Sequence, residues 1–258
     1  MSLEPPLLVL VGVLGLAIGS FLNVVIHRLP RGQSLLTPPS TCPSCGTRLR
    51  AIDNVPVLSW IALRGRCHAC RAPISAQYPL VEGATAALFV LVAWLTPVGP
   101  VLVAHLVLVV LLVVLFGIDW HHQILPNVLT LPGIVIGFLF SLLGPPGWMA
   151  SLMGATLGAG ILYGIAAVYF AVRREEGLGM GDVKMLAMIG AFLGWKAVLV
   201  TLILASFSGA LVGVGLIAAS RGGMRLALPF GTFLSVGALA AMLVGEPLVT
   251  WYAGFFVP

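Results

Sequence analysis

Glu175-Glu176-Gly177-Leu178-Gly179-Met180-Gly181-Asp182-Val183-Lys184 is an island of charge and glycine between two long apolar runs. Upstream, residues 148–172 carry almost no charge; downstream, 181–196 and 198–219 are equally apolar. Runs of this kind approach the ~20 residues needed to cross a hydrocarbon core of about 30 Å. The island therefore reads as a loop between membrane helices. Asp182 follows a Gly-x-Gly pair and opens the next apolar segment, where a helix N-cap is expected, and a carboxylate there favours the free backbone N–H groups and the helix dipole. Gly179 and Gly181 permit close backbone approach beside it.

The same pattern extends over the whole chain. Of 258 residues, 60% are hydrophobic and only 8% charged, and the mean hydropathy is +1.11. A soluble globular domain carries roughly 25% charged residues, so this composition excludes one. Leu7–His27 reads as a retained first span, because no basic leader precedes it and no cleavage pattern follows. Further spans are expected at 79–97, 100–119, 124–143, 148–172, 181–196, 198–219 and 228–248. The expected fold class is an all-α polytopic membrane protein of about eight transmembrane helices with a small cytoplasmic zinc-binding loop domain. Its expected parts are a first span at 1–27, a four-cysteine zinc-binding domain at 28–78 and seven membrane helices at 79–258.

The net charge of +5 is explained by topology, not by nucleic acid. Arg28, Arg31, Arg48, Arg50, Arg64, Arg66 and Arg71 lie in the one long polar segment, and Arg173, Arg174, Lys184, Arg221 and Arg225 fall in later loops on the same expected side. The positive-inside rule makes that side cytoplasmic and puts the N-terminus outside. Only Lys196 falls in an outward loop. Gly15-x-x-x-Gly19, Gly154-x-x-x-Gly158, Gly160-x-x-x-Gly164 and Gly209-x-x-x-Gly213 predict close helix contacts.

All four cysteines sit in the polar segment, as Cys42-Pro-Ser-Cys45 and Cys67-His-Ala-Cys70. Two C-x2-C knuckles at this separation resemble a structural zinc site, in which four thiolates leave no open coordination position. Metal binding would supply folding free energy to a loop too small for its own core. Two disulfides are the alternative, disfavoured on a reducing cytoplasmic side. His68 lies inside the second knuckle and is expected to face solvent.

A second carboxylate, Asp119 in Ile118-Asp119-Trp120-His121-His122, ends the third span on the same expected face as Asp182. Carboxylates at a membrane boundary are costly and usually functional or paired. Two in one site of low polarity cannot both ionise easily, so they would share a proton and divide acid and base roles. That is equipment for driving a water onto a peptide carbonyl. The cap position suggests Asp182 as base, with the reverse assignment open. Lys184 could orient the pair or snorkel to the interface. His121 and His122, adjacent on a helix, point in different directions and are not expected to hold a metal. Glu175 and Glu176 read as a solvated loop face. Glu82 enters the second span as a candidate to bind a substrate amine or to pair with a loop arginine.

With Asp119, Gly179-Met-Gly-Asp182-Val-Lys184 resembles the bacterial type IV prepilin peptidases, which are GxGD-type aspartic proteases. Gly19-Ser-Phe-Leu-Asn-Val-Val-Ile-His-Arg-Leu-Pro30 is similar to the family's first signature, the paired knuckles to its cytoplasmic loop, Ile74-Ser-Ala-Gln-Tyr-Pro-Leu-Val-Glu82 to the entry of its second span, and Pro229-Phe-Gly231 to the start of its last. The resemblance implies that Asp119 and Asp182 are catalytic, supported by Gly179, Gly181 and Lys184. It implies cleavage of the basic leader from type IV prepilins or type II secretion pseudopilins in the bacterial inner membrane. It also implies N-methylation of the new terminus from S-adenosylmethionine, although no Rossmann-type glycine loop is visible. The chain departs from the family pattern at Thr232, where proline is frequent, and at Asn127, where aspartate is common. A transporter that relays protons or cations through Asp119 and Asp182 is the alternative reading, and a non-enzymatic adaptor built on the zinc loop is a third.

Overall fold

The computed structural model describes residues 4–175, 177–219 and 228–254, so Glu176, Arg221 and Arg225 lie outside the described residues. Every extended element among those residues is helical: α1 (Pro5–Arg28), α2 (Leu58–Ala62), α3 (Gln77–Leu95), α4 (Pro100–His122), α5 (Asn127–Ser141), α6 (Trp148–Arg173), α7 (Met180–Ala218) and α8 (Phe230–Ala253). Proline supports two of the starts, since Pro5 and Pro100 occupy first-turn positions whose N–H has no helical partner anyway. Left-handed residues close two of the ends, Gln123 (φ 52°) after α4 and Arg174 (φ 58°) after α6.

α7 spans 39 residues, about 58 Å at 1.5 Å per residue, too long for one crossing. It is broken at Gly194, whose φ of 80° and ψ of 174° are not helical. Counting its two limbs separately gives eight long apolar helical segments, matching the expected number. Five helices, α7 taken whole, are long and apolar enough to cross a membrane, whereas Asn127–Ser141 and the apolar part of α8, Phe230–Gly245, are shorter.

The chain divides into two compact units, Met1–Val98 and Gly99–Pro258. In the first, α1 and α3 pack antiparallel through the small-residue face. A Cβ on Gly15 would fall 2.7 Å from the Ala86 Cα, and one on Gly19 would fall 2.7 Å from the Glu82 Cα. Any larger residue would force the helices apart.

In the second unit the first limb of α7 is the central element. Met185, Leu186, Met188 and Ile189 are fully buried, and they pack in one core with Leu108, Leu112 and Leu115 of α4, Leu162 of α6 and Leu234 and Ala238 of α8. A helix apolar all round belongs inside a bundle. The second limb instead turns Ile203, Phe207, Leu211 and Val214 outward, each about two-thirds exposed, as a lipid-facing surface would. Gly154 abuts the backbone of Gly190, and a Cβ on Gly158 would meet Leu186 O at 2.8 Å, so that predicted face makes the α6–α7 contact. Gly160 and Gly164 have nothing within 4 Å of a Cβ; this pair marks no close contact, because α6 meets α7 along the Gly154 face instead. Gly209 and Gly213 approach Phe233 and Leu228 at ordinary or slightly tight distances of 3.5 and 3.3 Å.

Candidate functional site

Asp182 is not the N-cap of α7. Gly179 holds that position, with extended φ −71° and ψ 137°, and Asp182 is the third helical residue. Its side chain folds back toward the helix start, with Oδ2 3.2 Å from where a Gly179 Cβ would stand, and it faces the backbone N–H groups of Gly179 and of its own residue. An acid at this position reaches back across the first turn, so the carboxylate still meets the helix N-terminus as expected, from a different residue slot.

Asp119 occupies the last turn of α4 and is 4% exposed. Its Oδ2 accepts hydrogen bonds from the Thr232 backbone N–H at 2.7 Å and from Thr232 Oγ1 at 3.1 Å. Thr232 is the third residue of α8, so its N–H is one of those a helix leaves without an internal partner. Asp119 thus caps α8 as Asp182 tends the start of α7, and two helix N-termini converge on the two carboxylates. Gly231 makes this possible, since a Cβ there would sit 3.0 Å from Asp119 Oδ2 and 2.9 Å from Leu125. Leu125 also packs on Gly181, 2.9 Å from its Cβ position. One leucine therefore wedges between the starts of α7 and α8, and the Asp182 carboxylate lies within the field of Asp119.

Lys184 turns away from the pair. Its Nζ donates to Asn127 Oδ1 at 2.8 Å, and among the described residues it makes no ion pair with an aspartate. Both positions at which the chain departs from the family pattern, Thr232 and Asn127, are therefore direct partners of site residues. The sequence exposed them only as deviations, with no sign of the contacts. His121 and His122 meet edge-on with ring centroids 6.4 Å apart.

In the first unit the two cysteine knuckles repeat one local design. Cys42 N–H bonds Thr47 O and Cys67 N–H bonds Ala72 O, both at 2.9 Å, with isolated antiparallel bridges Thr41–Arg48 and Arg66–Pro73 flanking them. The positive-φ residue after the second cysteine of each is Gly46 (φ 69°) and Arg71 (φ 61°). Cys42, Cys45, Cys67 and Cys70 bring their sulfurs within 4.8 Å of one another, with Cys42 Sγ 3.8 Å from Cys70 Sγ. Tetrahedral bonds of about 2.3 Å to a central Zn²⁺ would place the sulfurs ~3.8 Å apart, so the four residues fit a metal ion. Hydrogen bonds from Thr47 hold the Cys45 thiol down at about 6, and backbone N–H groups of Cys70 and Ala69 lower that of Cys67. Although Ala72 pulls the Cys70 thiol down, the crowding sulfur of Cys45 and the burial that follows carry it up to about 11. Four thiolates together want a cation between them.

His68 does not face solvent. Its side chain is 20% exposed, and Nδ1 lies 3.1 Å from Asp53 Oδ2. Asp53 is only 4% exposed along its side chain and is gripped by Arg50 through Nε at 2.8 Å, a second guanidinium nitrogen at 2.9 Å and the backbone N–H at 3.1 Å. That clamp holds the Asp53 carboxyl at about 2. Neither Asp53 nor its link to His68 was singled out in the sequence, where Asp53 is one acid in an arginine-rich loop. Glu82 is 7% exposed and bonds the Val57 N–H through Oε2 at 2.7 Å rather than an arginine.

The long apolar helices, the paired buried carboxylates of one unit and the four clustered thiols of the other define a polytopic membrane protein. The chain belongs to the type IV leader peptidase family. Residues 106–214 match the Type IV leader peptidase family and residues 13–96 match the Bacterial Peptidase A24 N-terminal domain. Curated relatives named "Prepilin leader peptidase/N-methyltransferase" include those of Aeromonas hydrophila, 40% identical over 96% of this chain and 94% of its own length, and Pseudomonas putida, 38% identical over 96% and 94%. That of Myxococcus xanthus (strain DK1622) is 48% identical over 83% of this chain and 64% of its own length. No solved structure matches the chain.

Proposed function

We propose that this protein is a membrane aspartic endopeptidase that removes the basic leader of type IV prepilins or type II secretion pseudopilins and then N-methylates the new terminus from S-adenosylmethionine. The observation that carries the peptidase half is the burial of Asp119 and Asp182 close enough for Asp182 to feel the charge of Asp119, with Asp182 in the first turn of α7 and Asp119 capping the start of α8 from the end of α4. Thr232 fills Oδ2 of Asp119 with two donors, which leaves Oδ1 and the Asp182 carboxylate to handle a water and a peptide carbonyl. The ionised member accepts the water's proton, the protonated member hydrogen-bonds the carbonyl oxygen, and the pair returns a proton to the leaving amine. Gly179 gives the Asp182 carboxylate room to fold back and Gly181 admits Leu125, and Lys184 braces the α5–α7 pair through Asn127.

In this reading the peptidase chemistry lies within residues 79–258, on α4, α7 and α8. The cysteines of residues 28–78 would hold a structural Zn²⁺, which needs no open position and fixes the loop that serves methyl transfer. Glu82 is the candidate residue for the methyl-transfer site. Arginine placement supports a cytoplasmic loop and a multi-pass protein of the bacterial inner membrane with its N-terminus outside. The substrate's apolar helix would lie in the bilayer while its charged leader stays in the cytoplasm. A proton- or cation-coupled transporter gains no support from the relatives' names.

The test is cleavage of a purified prepilin by the detergent-solubilised chain. Asp119→Ala and Asp182→Ala should each reduce cleavage by roughly 10³-fold, the middle of the range for a lost acid or base. Cleavage at the wild-type rate by either variant would sink the assignment.

A further inference from the structure

Two stretches recognised in the sequence find no place in the peptidase chemistry, Gly19–Pro30 and Ile74–Glu82. The structure brings them to one junction where α1 and α3 cross. Gly19 lies against the Glu82 backbone, and Asn23, 4% exposed, donates Nδ2 to Tyr78 O at 3.1 Å. Thr85, fully buried, sits beside Gly19 one turn further along α3. The loop between the knuckles completes the junction by sending the Val57 N–H onto Glu82 Oε2.

Val57 does so in a costly conformation. Its φ of 60° and ψ of −50° place a β-branched residue where such residues rarely go. Leu58 N–H bonds Pro56 O at 2.6 Å, closing a three-residue γ-turn around it. Strain of this kind persists where the surroundings over-determine the backbone, and it gathers at ligand clamps. Its product here is a carboxylate with one oxygen fixed. Oε1 takes no hydrogen bond from the described residues yet is not sealed from solvent, and among those residues no lysine or arginine pairs with Glu82. A carboxylate can accept about four hydrogen bonds, and buried charges are normally paired. Glu82 is therefore held ready with acceptor capacity to spare and a cation lacking.

We propose that Glu82 Oε1 is the anchoring site for an α-ammonium group used in methyl transfer. The inference rests on the methyl-transfer half of the reading above. Two molecules in that reaction carry this group, the freshly exposed N-terminus of the acceptor peptide and the methionyl end of S-adenosylmethionine. Glu82 orients the group; on the acceptor, the ammonium passes one proton to the Glu82 carboxylate, after which its nitrogen takes the methyl as the N–C bond forms, the S–C bond breaks and S-adenosylhomocysteine leaves.

The experiment measures binding to the full-length chain in detergent, with zinc loaded. The probes are a fluorescent mature pilin N-terminal peptide with a free α-amine, its N-acetylated twin, and radiolabelled S-adenosylmethionine. Glu82→Gln keeps an acceptor for Val57 N–H and removes the charge, and retained zinc reports that the unit is folded. It should weaken one of the two free-amine ligands by about 10- to 100-fold, the range of a lost charge-assisted hydrogen bond. Weakened peptide binding identifies the acceptor subsite, and weakened S-adenosylmethionine binding identifies the donor subsite. Unchanged affinity for both overturns the proposal. Should Glu82→Gln lose its zinc, two comparisons on the wild-type chain decide: free against acetylated peptide, and S-adenosylmethionine against its desamino analogue. A tenfold or greater loss in either supports an ammonium site, and equal binding in both overturns it. Because the peptide is already mature, cleavage is not involved. A chain that binds these ligands but transfers no methyl would instead break the methyl-transfer reading.

Discussion

The thiol cluster closes through short-range bonds, Cys42 N–H to Thr47 O and Cys67 N–H to Ala72 O, whereas Asp119 reaches Thr232 across 113 residues of sequence. The cysteine loop has little apolar interior: Leu36, Ile52, Leu58 and Ile61 are all more than half exposed, and its buried apolar side chains are Cys42 and Cys67. The carboxylate site stands on an apolar core drawn from α4, α6, α7 and α8. One site is therefore held by whatever binds its sulfurs and the other by helix packing. The two should fail independently.

Metal removal should have the largest effect. Structural zinc contributes about 10–16 kcal/mol to small domains, far more than hydrogen bonds within the knuckles can replace. Chelation, or Cys42→Ser with Cys67→Ser, should abolish protection of the loop amides in hydrogen exchange and remove methyl transfer. Prepilin cleavage should continue. Loss of both activities together would show that the two sites are not independent.

Packing offers the converse break. Gly190 lies against the Gly154 backbone, and a Cβ there would come within 2.8 Å of Ala155 N as well. Gly190→Val should force α6 from α7 and cost about 1–3 kcal/mol of overpacking strain. Thermal stability and cleavage should fall while zinc stoichiometry stays at wild type.

Thr232 sharpens the comparison within the carboxylate site. Thr232→Pro removes both donors to Asp119 Oδ2 and leaves a residue the family tolerates at this position. Each hydrogen bond to a charged group is worth about 1.5–3 kcal/mol, partly recovered by water, so kcat should drop about tenfold with KM unchanged. Thr232→Ser keeps both donors and should cleave like the wild type. Equal kcat for the two variants would show that Thr232 does not position Asp119.

The contrast also explains what could be read from the sequence. The lengths of the apolar runs located all eight long helical segments, and even the break in α7, because lipid imposes length and composition residue by residue. Cysteine spacing located the knuckles because the geometry is local. The Gly160–Gly164 pair misled because small-residue motifs say that close approach is possible and not where a partner runs. Asp119 and Asp182 could be paired by topology alone, yet the helix ends that tend them could not be foreseen. Thr232 N–H, Leu125 and the Lys184–Asn127 bond depend on how α5, α7 and α8 are rotated. Nor did the Asp53 clamp or the Val57 turn leave a local mark.

Asp53 gives the smallest expected effect and the one with a defined pH window. Its carboxyl, held at about 2 by Arg50, would titrate near 3.9 in an unfolded chain. A depressed folded value means that the ionised form is preferred in the native state. The stabilisation is complete above about pH 5, declines as the pH falls through 4 toward 2, and is absent below both values. Arg50 is 60% exposed, so solvent screens much of the attraction and the effect is modest. Hydrogen exchange at Arg50–Asn54 amides should therefore stay slow and flat from pH 7 to 5 after correction for intrinsic rates. It should then quicken between pH 4 and 2 with zinc replaced by a metal that stays bound. Asp53→Asn should show the faster rate throughout and no pH step. A step of the same size in that variant would move the origin of the acid sensitivity from Asp53 to the metal cluster, and the loop would then owe its order to the thiolates alone.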